Sequence, residues 1–349
     1  MFEQATSIPP GSWVLVTGAT GWLATHIIKQ FLERGYKVRG TVRDVQKASW
    51  LTTDLFKSAQ DSGSFQVIAV PDLADLKEGD FDAAVTGVSA VINVASIVSF
   101  DPDPNKVITP TVRGLTYLLE AAAKQPSIQK FVHTSSFLAA TIVRPGIDTR
   151  IERDTWNDAA VNMAWADPTP ETAPMRPAMV YMASKVEAEK ALWKFVEEKK
   201  PHFAVNSISP STILGQPLVK KHIDVPTAWL RHLYEGNSVP LKRLAALYEI
   251  DVKDAASLHV AAVLDPNVKN ERIQAWGRHC DWNAILAVTR RLYPEHEFME
   301  DLPGMARLDI QVDCSSALAL LEKWAGQETW RTLEETVKDN VDGVIEFGA

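Results

Sequence analysis

Apolar runs and amphipathic stretches alternate along the first third of the chain at the spacing of βαβ units. Trp13-Val14-Leu15-Val16-Thr17 predicts a short buried strand between Gly11 and Gly18. Behind it, Leu23, Ile27, Ile28, Phe31 and Leu32 recur at helical spacing, giving an apolar stripe that needs a sheet to cover it. Gly35 stops that helix, and Lys37–Val42 predicts the second strand. Further strands are predicted at 65–70, 90–94, 129–134 and 204–209, with the clearest helices at 107–123 and 179–199. Buried strands joined by helices give a parallel sheet covered on both faces.

The remainder is less regular. Residues 144–178 are rich in Pro, Asp and Thr and read as a long loop with at most a turn of helix, of the kind that usually serves a site. Beyond Pro210 the alternation fades, whereas 247–264 reads as a strand and helix rejoining the main sheet. The expected organisation is a nucleotide-binding domain over 1–210, to which 248–276 return, and a smaller lobe from 211–247 and 277–349.

Composition narrows the class. The 349 residues are 46% apolar and 23% charged, which excludes a disordered chain and a small disulfide scaffold. A net charge of −8 argues against general affinity for nucleic acid or anionic membrane. No apolar run reaches the length of a membrane span, and the start, MFEQATSIPPGS, lacks the charged and apolar regions of a leader. Two cysteines, Cys280 and Cys314, fit a reduced, cytoplasmic setting.

The first chemical signal is Gly18-Ala19-Thr20-Gly21-Trp22-Leu23-Ala24, between the first strand and the first helix. Glycines there let the backbone turn tightly and approach a pyrophosphate seated on the helix N-terminus. The spacing is G-x-x-G-x-x-A, and Ala24 is small enough for helix and strand to pack closely. An NAD site wants an acid at the end of the second strand for the ribose 2′-hydroxyl. This strand instead leads into Arg43, with Lys47 one helical turn on, a pair suited to clamping a 2′-phosphate. NADPH is therefore the expected cofactor, on a Rossmann-type doubly wound α/β sheet.

The second signal is a pair of residues four apart, Tyr181 and Lys185, on one face of a predicted helix. A phenol normally keeps its proton to pH ~10. A neighbouring ammonium is expected to lower that value, so that the tyrosine exchanges protons near neutrality. Ser135-Ser136 ends a predicted strand and offers a hydroxyl to hold a substrate oxygen. Alone, Y-x-x-x-K is a common surface pair. Following the glycine loop and the basic strand end, it points to carbonyl reduction by hydride transfer.

With these motifs in place, the chain resembles an extended short-chain dehydrogenase/reductase. It is most similar to fungal NADPH-dependent aldehyde and carbonyl reductases, with dihydroflavonol 4-reductases as relatives. The resemblance runs from VLVTGATGWLATHI through GYKVRGTVRD, INVASIVSF, KFVHTSS and YMASKVEAEKALWKF to ISPSTILG, YEIDVKDAASLHVAAVL and DWNAILAVTRRLYP. It implies Ser136, Tyr181 and Lys185 as the catalytic triad, with Lys185 also holding the nicotinamide ribose. It implies Gly18, Thr20, Gly21, Trp22 and Leu23 at the pyrophosphate, and Arg43 and Lys47 at the 2′-phosphate. Asp72 and Leu73 would flank the adenine, and Val94, Ala95 and Ser96 the ribose and nicotinamide. Pro210 and Ile213 would press on the nicotinamide so that its pro-S hydride is presented. One departure is Thr111, where many relatives carry Asn.

The expected protein is thus a cytoplasmic NADPH-dependent aldehyde/ketone reductase acting on small carbonyl substrates. It needs no metal, nucleic acid or membrane, and a homodimer is compatible with it. The substrate pocket is expected between the sheet and the lobe, with Ser96 through Phe100, Phe137 and parts of 144–178 and 211–235 as walls. The alternatives are a nucleotide-sugar epimerase or hydroxysteroid dehydrogenase on the same fold, and a non-catalytic NADP(H)-sensing regulator.

Overall fold

The six strands predicted between residues 13 and 209 form and join one sheet in the computed structural model, which describes residues 5–143, 145–146, 148–244 and 246–348. Residues 1–4 of the start read above lie outside the described residues. In chain order the strands are β1 (Trp13–Val16), β2 (Lys37–Val42), β3 (Phe65–Ala69), β4 (Ala90–Asn93), β5 (Lys130–Thr134) and β6 (Thr149–Ile151). They continue with β7 (Ala204–Pro210), β8 (Thr212–Leu214), β9 (Leu247–Asp251), β10 (Arg272–Ala275), β11 (Arg278–Cys280) and β12 (Ile310–Val312).

The main sheet runs β10-β7-β5-β4-β1-β2-β3, and the pairs from β7 through β3 are parallel. The chain moves outward from β1 to β3, then returns to β4 on the other side of β1. That reversal leaves a crevice beyond the carboxyl ends of β1 and β4, where doubly wound sheets bind ligands. Helices cover the sheet because its strands are apolar on both sides. Leu15, Val91, Phe131 and Val205 pack with Leu115, Leu118, Leu119, Leu192 and Phe195 in one buried cluster. Each such Leu or Phe contributes about 1.5–3 kcal/mol of burial.

The two long helices begin earlier than their apolar periodicity suggests, because proline opens both. Pro104–Ala123 starts at Asp103, whose carboxylate accepts the Asn105 N–H, and Arg176–Lys199 carries Pro177 in its first turn.

Two expectations need correction. The segment 144–178 is not an open loop: it holds β6, a two-turn helix at Asp158–Trp165 and a 3₁₀ turn at Ala173–Met175. Asn157 caps that helix by accepting the Ala160 N–H, and Ala160 and Ala164 are buried, so small apolar residues supplied a packing face that a loop-like composition hid. The 247–264 stretch does not rejoin the main sheet through its strand. β9 pairs with β8 and β11 in a separate three-stranded sheet, and β10 completes the main one. Both strands are short and wholly buried, so apolar content could not distinguish them.

The chain divides into two compact units. One comprises 1–142, 153–209 and 259–273, and the other 143–152, 210–258 and 274–349. The expected return of 248–276 to the first is therefore shortened to 259–273. In the second unit, Leu214, Leu230, Leu233, Leu247, Trp282, Ile285, Val337 and Val341 form the core, and β6 pairs with β12. Trp229 packs on the fully buried Trp282 with ring centroids 6.0 Å apart, and Trp276 is buried as well, so these tryptophans are packing residues. Among the described residues, no helix is long and apolar enough to cross a membrane.

Candidate active site

The glycine loop follows β1 as predicted, and its geometry admits little but glycine at Gly18. Its φ is +66°, and a Cβ there would lie 3.1 Å from Ala95 Cα. Gly21 is the residue before the first helix, Trp22–Glu33, and no side chain caps that helix end. Thr20 and Gly21 are exposed, Trp22 is half-buried and Leu23 is buried. One helix further on, Gly40 in β2 faces Ala19, and a Cβ on Gly40 would come within 2.6 Å of the Ala19 Cβ. The loop is thereby seated against β2, and the Ala19 N–H bonds the Thr41 carbonyl at 3.0 Å.

Thr17, in the strand end before the loop, ties it to the loop after β4. Its hydroxyl accepts the N–H groups of Val94 and Ala95, each at 3.0 Å, and donates to Asn93 Oδ1 at 2.8 Å. Val94, Ala95 and Ser96 therefore lie beside the glycine loop. Ser96 Oγ is buried without a hydrogen-bond partner in the described structure. A buried hydroxyl left unpaired is unfavourable, and an incoming polar group would satisfy it.

The two cations expected at the end of β2 are both exposed. Arg43 makes a 2.6 Å ion pair with Asp72, and Lys47 stands 3.8 Å from Asp44. The Arg43 hydrogen bond, with the Ala74 N–H, holds the Asp72 carboxyl below its usual range. Arg39 does not belong with them. Its guanidinium donates to the carbonyls of Ala84 and Thr86 at 2.7 and 2.8 Å and lies over Trp13. Leu73 packs on Gly114 of the Pro104–Ala123 helix, where a Cβ would meet it at 2.7 Å. The uncapped helix, the Gly18 approach, the open Ser96 hydroxyl and the paired basic residues fit a dinucleotide carrying a 2′-phosphate.

The serine pair separates at the end of β5. Ser135 points its hydroxyl into the protein and donates to Glu189 Oε2 at 2.7 Å. Ser136 faces the other way and opens the 3₁₀ turn Phe137–Ala139, its Oγ accepting the Leu138 N–H at 3.2 Å. The Arg176–Lys199 helix packs on this turn and brings Tyr181 and Lys185 to the same strand end. Lys185 Nζ donates to the Thr134 carbonyl at 3.3 Å, two residues before Ser136. The Phe100 ring lies 5.4 Å from that of Tyr181, on a backbone with φ of 52°.

The electrostatics depart from expectation in one respect. Burial pushes the Tyr181 phenol up to about 12, not down, because desolvation of the phenolate dominates. Burial also lowers Lys185 to about 8, against the opposing pull of Glu189. Tyr181 is thus held as a phenol with a proton to give. His133 is buried beside Lys185, bonded at Nδ1 to Asn93 at 3.1 Å, and pushed down to about 3, which keeps it neutral.

Thr111, where an Asn stands in many relatives, bonds its own helix through the Val107 carbonyl at 2.6 Å. Pro210 ends β7 and Ile213 lies in β8, both in the second unit. Reading the motifs alone missed Glu189 and Arg272. The available signal was a third ionisable residue continuing the four-residue spacing of Tyr181 and Lys185.

Similarity to known proteins follows the same outline. The chain is 36% identical over 337 residues to aldehyde reductase 2 of Sporidiobolus salmonicolor, covering 96% of each chain. It is 35% identical over 340 residues to ketoreductase adrE of Penicillium rubens, covering 96% of this chain and 97% of that one. The crystal structure of Gre2 in complex with NADPH from Candida albicans superposes with a TM-score of 0.80 at 25% identity, over 98% of this chain and 100% of that one. Residues 14–275 match the model of the NAD dependent epimerase/dehydratase family, and the chain belongs to that family.

Proposed function

We propose that this protein is an NADPH-dependent reductase that converts aldehydes and ketones to alcohols. The observation that carries the reading is the anchoring of Lys185 to the Thr134 carbonyl. It joins the Tyr181 helix to the strand end bearing Ser136, beside the loops that fit the cofactor. The names of the aldehyde reductase and ketoreductase relatives support the reaction class, and the NADPH-bound relative supports the cofactor.

NADPH, when bound, supplies the hydride that reduces the carbonyl carbon. Gly18, Thr20, Gly21, Trp22 and Leu23 would hold its pyrophosphate, chiefly through backbone, and Arg43 and Lys47 its 2′-phosphate. Asp72 and Leu73 would border the adenine, and Val94, Ala95 and Ser96 the ribose and nicotinamide. Ser136 donates its hydroxyl hydrogen to the substrate oxygen and orients it. Tyr181 passes its proton to that oxygen as negative charge develops there. Lys185, as an ammonium, favours the phenolate that remains and holds the nicotinamide ribose. The burial that keeps Tyr181 protonated suits the reductive direction, in which it must arrive carrying its proton. Phe100 and Phe137 are assigned to the substrate wall, and the two free cysteines support a cytoplasmic setting.

The test is loss of reduced-nicotinamide absorbance with NADPH or NADH across a panel of aldehydes, α-keto esters and aryl ketones. Steady consumption with NADPH and little with NADH is expected. Tight NADPH binding without consumption of any carbonyl would remove the reductase reading.

A further inference from the structure

Tyr181, Lys185 and Glu189 follow one another at four-residue intervals on the Arg176–Lys199 helix, so they share one face. Glu189 has no exposed surface, yet its carboxylate is fully engaged. Oε2 accepts from Ser135 Oγ at 2.7 Å, and Oε1 accepts from Ser207 Oγ and from Arg272 Nε at 3.1 Å. Arg272 Nη2 reaches Oε2 at 3.3 Å. The arginine is itself buried and immobilised: Nη1 donates to the carbonyls of Arg153 and Thr155, each at 2.8 Å, and the guanidinium lies 3.9 Å from the Trp156 ring centroid. One carboxylate therefore joins β5, β7 and β10 to the helix that carries Tyr181.

A buried charge pair is a weak source of net stability, because desolvation offsets attraction. Its effect here is on geometry and on charge. Ser135 precedes Ser136 on an extended backbone, and alternation sends the Ser136 side chain to the opposite side once Ser135 is held on Glu189. The charged or titratable groups near Lys185 are Tyr181 and Glu189 on its own helix and His133 on β5. Beyond them lie Arg272 behind Glu189 and His259, which bonds Thr134 Oγ1 at 2.8 Å. Glu189 favours the Lys185 ammonium, whereas burial opposes it.

We propose that Glu189, locked by Arg272, is a positioning residue for the reaction: it turns Ser136 toward the substrate by holding Ser135, and it sets a negative charge beside Lys185. The inference rests on the reductase reading above. Its test pairs Glu189→Gln, which removes the charge but keeps the shape, with Glu189→Asp, which keeps the charge but shortens the reach. Lys185 is titrated in cofactor-free protein through isotope-labelled lysine, with its signal assigned by its loss in Lys185→Met, and kcat/KM is followed against pH.

In Glu189→Gln the Lys185 midpoint is expected to fall by about one pH unit, with the alkaline decline of kcat/KM moving down alongside it. In Glu189→Asp the midpoint should stay near that of the parent while kcat drops about tenfold through the displaced serine. If the single charge removal prevents folding, the double variant Glu189→Gln/Arg272→Met removes both charges together and should move the midpoint in the same direction. A folded Gln variant, single or double, with an unmoved midpoint and an unmoved profile overturns the proposal. Failure of the reductase reading would look different, because turnover surviving in Tyr181→Phe leaves the Lys185 titration as it was.

Discussion

Lys185 donates its ammonium hydrogen to the Thr134 carbonyl at 3.3 Å, from helix to strand across the first unit. The bond ties the lysine's position to the strand end that presents Ser136. The helix supplies Tyr181 and Lys185, and the turn that Ser136 opens follows directly on the strand to which the lysine is bonded.

Replacing Tyr181 with Phe removes the proposed proton donor while keeping the ring that lies against Phe100. Turnover is expected to fall by about 10²–10⁴ with little change in NADPH affinity. Ser136→Ala should cost about a hundredfold in kcat, from loss of the hydroxyl on the developing oxyanion. Steady-state rates alongside NADPH fluorescence titration check both.

The alkaline side of the pH profile should report Lys185. Its ammonium is lost as pH rises through about 8, so kcat/KM declines there, whereas Tyr181, held up to about 12, keeps its proton. Stability runs in the opposite direction. The folded lysine binds its proton less tightly than the unfolded one, so this group's contribution improves from about pH 8 toward the ordinary lysine value. Melting temperatures of the parent and Lys185→Met across that window should show activity falling without the lysine itself weakening the fold.

Arg43 is exposed, and its pair with Asp72 should contribute only about 0–1 kcal/mol to stability. Arg43→Ala should therefore leave the melting temperature nearly unchanged. It should weaken NADPH about tenfold or more while leaving NADH binding alone, because only the former carries the 2′-phosphate. Calorimetric titration with each nucleotide distinguishes these outcomes.

Gly40→Ala places a methyl group within 2.6 Å of the Ala19 side chain. Overpacking of this kind costs about 1–3 kcal/mol. A lowered melting temperature is expected, together with weaker NADPH binding because the displaced residue belongs to the glycine loop proposed to hold the pyrophosphate. Thermal unfolding and nucleotide titration of the same sample test it.

The strands of the main sheet were legible because each buries both faces and therefore reads as a continuous apolar run with glycine or polar residues at its ends. The glycine turn after β1, Arg43 at the end of β2 and the Tyr181–Lys185 spacing were legible because each is a pattern within one short segment. The helix at Asp158–Trp165 was not, since its packing face is made of alanines whose burial depends on what covers them. Nor could short apolar stretches reveal that β9 would pair with β8 and β11 while β10 took the edge of the main sheet.

Local order in the chain was enough to specify the βαβ alternation, the glycine turn after β1, the basic end of β2 and the four-residue spacing of Tyr181 and Lys185. Folding decided which serine is bonded to Glu189, that Arg39 is spent on backbone carbonyls, and that Tyr181 is pushed up rather than down. It also created the Glu189–Arg272 pair from residues 83 positions apart. The reason is physical: propensity and periodicity act between near neighbours, whereas desolvation and ion pairing depend on what the packed chain brings alongside.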